Sequence, residues 1–308
     1  MPSGRQVCTF VAVGIAGFAA GLYVAGPRTA AQELPAPRAV VLEDPPNRAL
    51  DGNLWMHVSA EYRACCYQAY NLARRRLKEK VQSPPPGGWA KPPAVVLDLD
   101  ETVLDNGEFQ ARLIRNGLAF DPETWNDWER SGFAQVRLVP GAKAFIDEAK
   151  RLGVAVVYIT NRQHKKEFRI STGNALELLE IDVPTDNLLA AEEDFGPDGK
   201  PFLITDKTAR RAKVERRHTV LLYLGDNLRD FHEGDFKSTV DNLKPGPKTT
   251  DAAKLHAAIA ARAAAVDRCE DLFGREWIIL PNPAYGEWAK VLNLGNADKN
   301  LLTGQPSR

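Results

Sequence analysis

The stretch VVLDLDETVLDN, residues 95–106, decides the fold of this chain. It opens in a short apolar run, Ala94–Leu97, that follows two prolines and has the length of a buried strand. The acids that come directly after this run are Asp98, Asp100, Glu101 and Asp105. Acids in this position indicate a functional site if other strands of the same sheet also end in polar residues.

Two further apolar runs, Val154–Ile159 and Val220–Leu224, end in the same way. The polar residues that follow them are Thr160, Asn161 and Arg162 in the first case and Asp226, Asn227 and Asp230 in the second. Helix-like segments separate the three runs, which is the pattern of βαβ units in an α/β fold with a parallel sheet. Ligands of such sheets bind outside the carboxyl ends of the strands, so the three strand ends should meet at one crevice.

Carboxylates and hydrogen-bond donors in one crevice suit phosphoryl transfer. That reaction needs a nucleophile, a metal that neutralises phosphate oxygens, and a proton donor for the leaving group. Each acid alone could equally be a helix cap or a turn former. Caps do not explain why acids and amides follow three successive strands in this order.

Four segments resemble the motifs of the haloacid dehalogenase (HAD) superfamily, in the order used by its acid phosphatases. They are DLDETVLDN, YITNR, the lysine of DKTARRAKVE, and GDNLRDF. The flanking segments at residues 55–73, 139–142 and 281–288 resemble the class C bacterial acid phosphatases, a family that includes outer-membrane lipoprotein 5'-nucleotidases. The resemblance covers about residues 50–290 and implies a Rossmann-like HAD core with a parallel sheet and a smaller helical cap.

The resemblance also implies a domain layout. The acid phosphatase domain would span residues 49–300, after a signal peptide or anchor at 1–31 and a proline-rich linker at 32–48. Its core would comprise about residues 90–104 and 139–275, and its cap about residues 50–82, 105–138 and 277–295.

The resemblance assigns catalytic roles to five residues. Asp98 would attack phosphorus and form an aspartyl-phosphate, and Asp100 would protonate the leaving alcohol and later deprotonate the attacking water. Thr160 and Asn161 would hydrogen-bond the phosphoryl oxygens. Lys207 would steady the nucleophile and neutralise developing charge. Two nearby lysines, Lys200 and Lys213, remain alternatives to Lys207.

The resemblance implies a Mg²⁺ site at the same strand ends. Its ligands would be the Asp98 carboxylate, the backbone carbonyl of Asp100, and Asp226. If a helix begins near Asn227, Asp230 comes round to the same side and could hold a metal-bound water. Two other acids, Glu101 and Asp105, are expected to be structural, as a cap or in a salt bridge. They are not part of the metal site.

Aromatic residues in the segments around the core are the candidates for substrate choice. They are Phe109, Trp125, Trp128, Tyr285 and Trp288. Related nucleotidases stack a base between aromatic side chains, and Phe109, Trp125 and Tyr285 are the candidates for such a clamp. The alternative is that these residues form the core of the cap. Gly107 and Glu108 depart from the family pattern, in which a serine commonly follows the Asp-Asn pair.

The N-terminal segment predicts export. Arg5 precedes an apolar stretch from about Cys8 to Ala25, and small residues then permit cleavage after Ala31. The alternative is an uncleaved anchor, because the stretch is close to the length of about 18 residues that spans a bilayer. A lipid anchor would need a cysteine directly after the apolar run, whereas Cys8 lies before it. The body of the protein is expected outside the cytoplasm: periplasmic, at the cell surface, or secreted.

Three features complete the sequence-based expectations. Helical spacing from Leu54 to Val81 predicts one long amphipathic helix. The basic runs at 162–169 and 207–217 are interrupted by acids and are interpreted as solvated helix faces. Cys65, Cys66 and Cys269 have no metal-ligand spacing and could form one disulfide or be three buried thiols.

The 308 residues carry 40 basic and 40 acidic side chains, and this balance argues against a nucleic-acid partner. We therefore expect a secreted or membrane-tethered, Mg²⁺-dependent phosphomonoesterase acting on nucleoside monophosphates. The rival hypotheses are a broad-specificity acid phosphatase and a non-catalytic storage or envelope-binding protein. Fold resemblance alone does not decide among them, and nothing in the sequence fixes the oligomeric state.

Overall fold

A computed structural model of the protein describes residues 48–118, 120–196, 201–234, 236 and 252–290. These residues belong to one unit of the chain, Pro46–Arg308. The predicted signal segment and all but the last residue of the predicted linker lie outside the described residues. Within the described part of the chain, no helix is long and apolar enough to cross a membrane.

A five-stranded parallel sheet forms the centre, as predicted. Its strand order is β5-β4-β1-β8-β9. The strands are β1 (Pro93–Leu97), β4 (Ala155–Gln163), β5 (Leu188–Ala191), β8 (Thr219–Gly225) and β9 (Trp277–Ile279). The predicted apolar runs are β1, β4 and β8, and Leu97 of the central strand is in register with Tyr158 on one side and Leu224 on the other. The three strands therefore end at one edge.

Two small antiparallel ribbons lie outside the central sheet. One pairs β2 (Leu104–Asp105) with β3 (Arg137–Leu138). The other pairs β6 (Glu193–Phe195) with β7 (Pro201–Leu203). In the chain, the first ribbon begins with β2 directly after β1, and the second begins with β6 directly after β5.

Helices connect the strands. Their bounds are α1 (Arg48–Val58), α2 (Ala60–Gln82), α3 (Gly107–Arg115), α4 (Pro122–Ser131), α5 (Ala142–Arg151), α6 (Lys166–Leu178), α7 (Thr208–Arg217), α8 (Leu228–Phe231), α9 (Ala252–Asp267) and α10 (Glu287–Lys290). Single 3₁₀ turns occur at Phe133–Gln135, Thr185–Asn187 and Glu270–Leu272.

The prediction of one long helix from Leu54 to Val81 is wrong, because Ser59 divides it into α1 and α2. Ser59 has extended backbone angles, φ −83° and ψ 136°, and its side chain accepts a hydrogen bond from the Tyr62 N–H at 2.9 Å. A serine hydroxyl satisfies a free N–H at a helix start, so a new helix begins there. The apolar spacing runs through the break, which is why the pattern did not reveal it.

Both faces of the central strand are buried, which explains its apolar run. Val95 and Leu97 belong to one hydrophobic cluster, and Ala94 and Val96 belong to another. Alternate residues of a strand point to opposite faces of a sheet. The first cluster also contains buried residues of α2, among them Tyr70. A strand that is covered on both sides reads as continuous apolar sequence.

The cysteines Cys65, Cys66 and Cys269 are free thiols. Cys66 lies on the buried face of α2, whereas Cys65 is exposed. Of the two alternatives left open by the sequence, three thiols are present, but only Cys66 is buried, so the expectation of buried thiols is wrong for Cys65 and Cys269.

A carboxyl group in α4, that of Glu129, is buried and 1% exposed. Burial raises the pKa of Glu129 to about 8, although the charge of Arg162 acts in the opposite direction. The folded protein therefore holds a proton on Glu129 that the unfolded chain has already released above its ordinary value of 4.5. Folding becomes less favourable as the pH rises through this interval.

We predict that Glu129→Gln flattens the loss of stability between pH 5 and pH 8. The amide keeps the shape of a protonated carboxyl and does not titrate. The free energy of unfolding of the Gln variant should therefore lack the decline of up to about 1.4 kcal/mol per pH unit that Glu129 causes. Urea unfolding at several pH values measures the free energy.

The matched control is Glu148→Gln. Ion pairs with Arg151 and Lys78 lower the pKa of Glu148 to about 2, so this group is ionised in both states from pH 5 to pH 8. Its substitution should leave the slope unchanged. An equally steep decline in wild type and Glu129→Gln would refute the prediction.

Candidate active site

The ends of β1, β4 and β8 surround a cavity of about 820 Å³. Asp98 directly follows β1, Asn161 lies in the last part of β4, and Asp226 directly follows β8. The predicted site residues that line the cavity are Asp98, Asp100, Phe109, Trp125, Asn161, Lys207, Asp226, Asp230 and Tyr285. The expected convergence of three strand ends is therefore present.

A tight turn after β1 sets the direction of the two aspartates. The Leu99 carbonyl accepts hydrogen bonds from the backbone N–H groups of Val103 and Leu104, both at 2.8 Å. Glu101 has a left-handed backbone, with φ 57°, which is uncommon outside glycine. The buried Glu101 carboxylate accepts the Asn106 N–H at 2.8 Å. Glu101 is thus a structural acid, as expected.

Asp105 is also structural. Its carboxylate accepts the Gly107 N–H at 2.8 Å, at the start of α3. A Cβ at Gly107 would lie 2.5 Å from Nε2 of His57, so a serine would force His57 to move. Glycine at position 107 therefore leaves room for His57, and this packing accounts for the departure from the family pattern.

Lys207 is buried and joins two of the acids. Its Nζ donates to Asp98 Oδ1 and, at 2.7 Å, to Asp230 Oδ1. Despite burial, these two carboxylates raise the pKa of the Lys207 ammonium, which stays charged. Lys213 is exposed on α7, and Lys200 lies outside the described residues. The geometry agrees with the choice of Lys207 over Lys213.

Three carboxylates form a cluster with metal-ligand spacing. Oxygens of Asp98, Asp226 and Asp230 lie within 4.8 Å of one another. Burial raises the pKa of Asp98 to about 7 against the effect of Lys207, and burial with repulsion from Asp230 raises that of Asp226 well above its ordinary value. An all-oxygen donor set of this kind fits a hard divalent cation.

The surroundings of Asp230 and Asp226 differ. Asn227 caps α8, so a helix does begin near Asn227, and Asp230 Oδ2 accepts the Asn227 N–H at 2.9 Å. Both oxygens of Asp230 are therefore bonded within the protein. Asp226 Oδ2 accepts from Nδ2 of Asn282 at 2.8 Å. Asp226 Oδ1 has only a long contact with Thr102, at 3.5 Å, and faces the cluster more freely.

Asp100 is held by Arg162, the first residue of the first basic run. Arg162 Nε and NH2 donate to Asp100 Oδ1 at 3.0 and 2.7 Å. Arg162 lies in β4 and is buried, and α6 begins only at Lys166. The interpretation of residues 162–169 as a solvated helix face is wrong at its first residue, because Asp100 supplies a buried partner.

A second arginine holds the segment predicted to bind phosphoryl oxygens. Arg210 NH2 donates to Asn161 Oδ1 at 2.8 Å, and its NH1 donates to the Thr160 carbonyl. Thr160 is completely buried, and its Oγ1 accepts the Arg162 N–H at 3.1 Å. Arg210 belongs to the second basic run. Its position three residues after Lys207, on the first turn of α7, is the signal that could have identified it.

The predicted aromatic clamp divides into buried and accessible members. Phe109 is 1% exposed and packs edge-on against Trp125, with 5.1 Å between ring centroids. Trp125 and Tyr285 line the cavity and are half-buried. Trp128 is buried and donates Nε1 to Asn106 at 3.0 Å, so it has a structural bond. Trp288 is largely exposed.

Comparison with known proteins identifies the family. The model of HAD superfamily subfamily IIIB, acid phosphatase, matches residues 44–288. A class C acid phosphatase from Bacillus anthracis, in a crystal structure with tungstate bound, is 31% identical, with a TM-score of 0.64 over 84% of this chain and 97% of that chain. A second structure of the Bacillus anthracis class C acid phosphatase is 30% identical over the same shares, with a TM-score of 0.64. The chain therefore belongs to the HAD subfamily IIIB acid phosphatases and is a phosphomonoesterase.

Proposed function

We propose that this protein is an exported, Mg²⁺-dependent acid phosphatase that hydrolyses nucleoside 5'-monophosphates through an aspartyl-phosphate. The observation that carries the proposal is the position of Asp98 in the cavity, bonded to Lys207 and sharing that cavity with Trp125 and Tyr285. The same cavity would hold the phosphate at Asp98 and the base at the aromatic side chains.

The chemistry proceeds in two displacements. An Asp98 oxygen attacks phosphorus, and the bond to the leaving oxygen breaks as Asp100 gives that oxygen its proton. Asp100 then takes a proton from water as the water attacks phosphorus. The second step releases inorganic phosphate and restores the Asp98 carboxylate. Lys207, bonded to Asp98, counters the negative charge that develops beside it.

The proposed metal ligands are Asp98, Asp226 and the backbone carbonyl of Asp100, with Asp230 in support. A bound Mg²⁺ would supply positive charge for the phosphoryl oxygens. The closeness of three carboxylates supports this set. The related Bacillus anthracis enzyme has a crystal structure with tungstate bound, and tungstate is an oxyanion like phosphate, which supports an oxyanion site in this protein.

The preference for nucleotides rests on the aromatic lining. Trp125 and Tyr285 can present ring faces or edges to a base, and Phe109 supports Trp125 from the core. The burial of Phe109 favours a supporting role over direct stacking. A broad-specificity acid phosphatase would use the same acids without this lining. A non-catalytic protein would have no reason to keep Asp98 and Lys207 paired.

Export rests on the N-terminal sequence. Residues 1–31 would act as a cleaved signal or as an uncleaved membrane tether, and residues 32–48 as the linker to the catalytic domain. The enzyme would then meet phosphate monoesters in the periplasm, at the cell surface, or outside the cell.

The first prediction concerns the nucleophile. Asp98→Asn should abolish turnover while the fold is retained, because the amide keeps the shape of the carboxylate but loses its nucleophilicity. Acid quenching with a phosphate-labelled substrate should trap a phosphoenzyme in wild type and none in the variant. Substantial activity in a folded Asp98→Asn protein would remove the mechanism.

The second prediction concerns the metal. Asp226→Ala should abolish activity even at saturating substrate, whereas Asp230→Ala should weaken Mg²⁺ affinity by roughly 10- to 100-fold, as expected for a residue that supports a ligand. Calorimetric titration with Mg²⁺ measures the affinities without turnover. Full wild-type activity after exhaustive chelation would exclude the metal role.

The third prediction concerns the base. Trp125→Ala or Tyr285→Ala should lower kcat/KM for a nucleoside 5'-monophosphate by about 5- to 150-fold, since a stacked base contributes about 1–3 kcal/mol. A small alkyl phosphate should barely be affected.

The matched control is Trp89→Ala, because Trp89 is half-buried and is not part of the cavity lining. It should leave the ratio of the two kcat/KM values unchanged. If Trp125 is only a core residue, its truncation should depress both substrates together and lower the melting temperature. Parallel losses would leave the broad-specificity phosphatase as the better hypothesis.

A further inference from the structure

Arg162 makes a two-pronged contact with the proposed proton donor. Its Nε donates to Asp100 Oδ1 at 3.0 Å and to Oδ2 at 3.2 Å, and its NH2 donates to Oδ1 at 2.7 Å. Asn106 Nδ2 adds a bond to Asp100 Oδ1 at 2.9 Å. Oδ1 therefore accepts from three N–H groups, whereas Oδ2 has one longer contact.

The guanidinium is enclosed by further partners. NH2 also donates to Asn106 Oδ1 at 3.2 Å, and NH1 donates to Thr172 Oγ1 at 3.4 Å. Trp128 Nε1 donates to the same Asn106 oxygen at 3.0 Å. Asn106 is thus held by two donors while it donates to Asp100. The network gives the Asp100 carboxylate one orientation.

Arg162 lies in the wall of the cavity but exposes almost none of its surface to it. Its side chain is 1% exposed, compared with 18% for Asp100. An arginine that binds phosphate directly must present its N–H groups to the cavity, and here Asp100, Asn106 and Thr172 take up its donors. Enclosing an ionised guanidinium opposes folding unless its partners compensate the charge. Arg162 therefore acts through Asp100.

The same guanidinium contacts the proposed base-binding side chain. The Arg162 Cζ atom lies 5.7 Å from the centroid of the Trp125 ring. A cation at this distance from an aromatic face is attracted to it. Arg162 thus links the carboxylate that would protonate the leaving oxygen to the aromatic ring that would hold the leaving group.

We propose that Arg162 is a positioning residue for proton transfer, which leaves Oδ2 of Asp100 as the atom that carries the proton. This inference rests on the proposed role of Asp100. The proton moves from Oδ2 to the leaving oxygen as the phosphorus–oxygen bond breaks, and the electron pair of the O–H bond stays on Asp100. Arg162 stabilises the carboxylate formed in this way. In the second step Oδ2 accepts a proton from water.

The test compares Arg162→Met and Arg162→Lys with Asp100→Asn on two substrates. An alkyl phosphate has a poor leaving group and needs the proton, whereas an aryl phosphate with an acidic phenol needs it little. The ratio of their kcat/KM values reports the first displacement alone. General acid catalysis contributes typically 10²- to 10⁴-fold, and we expect Arg162→Met to lose about 10- to 100-fold on the alkyl ester and less than about 3-fold on the aryl ester.

A double variant separates positioning from other roles. In the Asp100→Asn background, Arg162→Met should cause no further selective loss, because residues that act as one unit are not additive. Arg162→Lys keeps the charge but loses the planar fork, and it should lie between wild type and Arg162→Met.

Each outcome has a distinct meaning. If Asp100→Asn shows no selective loss on the alkyl ester, the proposed role of Asp100 fails. If Asp100→Asn is selective but Arg162→Met lowers both substrates equally, or multiplies the loss of Asp100→Asn, the positioning role of Arg162 is overturned. If Arg162→Met does not fold, Arg162→Lys decides by the same ratio.

Discussion

The site depends on the buried ammonium of Lys207, which lies between carboxylates from two different strand ends. Burial of an ion costs several kcal/mol, and hydrogen-bonded counter-charges must offset that cost. Asp98 and Asp230 provide them, and the Lys207 N–H also donates to Glu233 at 2.8 Å. The start of α7 is thereby fixed to the ends of β1 and β8. Removing the Lys207 ammonium would leave the buried carboxylates of Asp98 and Asp230 without this counter-charge.

The parallel register explains why the charges meet. Because β1 lies between β4 and β8, every side chain just beyond Leu97 comes close to the residues that follow two other strands. Apolar burial on both faces of the sheet holds this alignment independently of the acids. The hydrophobic core therefore carries the stability, and the strand ends can accept charges that oppose folding. Glu101 and Asp226, whose pKa values burial raises, are two such charges.

The sequence predicted the features that repeat a local pattern, and it missed those that depend on distant partners. Three apolar runs and the polar residues after them were enough for the sheet and its crevice. Arg162 and Arg210 looked like exposed basic residues because their partners, Asp100 and Thr160, lie 62 and 50 positions away. Whether an arginine is buried is decided by what packs against it. The break at Ser59 was hidden for another reason, since the apolar spacing continues across it.

The segment at residues 281–288 shows how a catalytic charge and a substrate contact become coupled. Asn282 donates to Asp226, while its Oδ1 accepts the backbone N–H groups of Ala284 at 3.0 Å and Tyr285 at 3.3 Å. One amide therefore orients a proposed metal ligand and fixes the backbone that carries a proposed base contact. Arg162 makes the corresponding link on the other side, between Asp100 and Trp125. Because Asn282 bonds to the backbone of Tyr285 and not to its side chain, a change of this aromatic side chain would alter the affinity for the base while the bond to Asp226 stays in place.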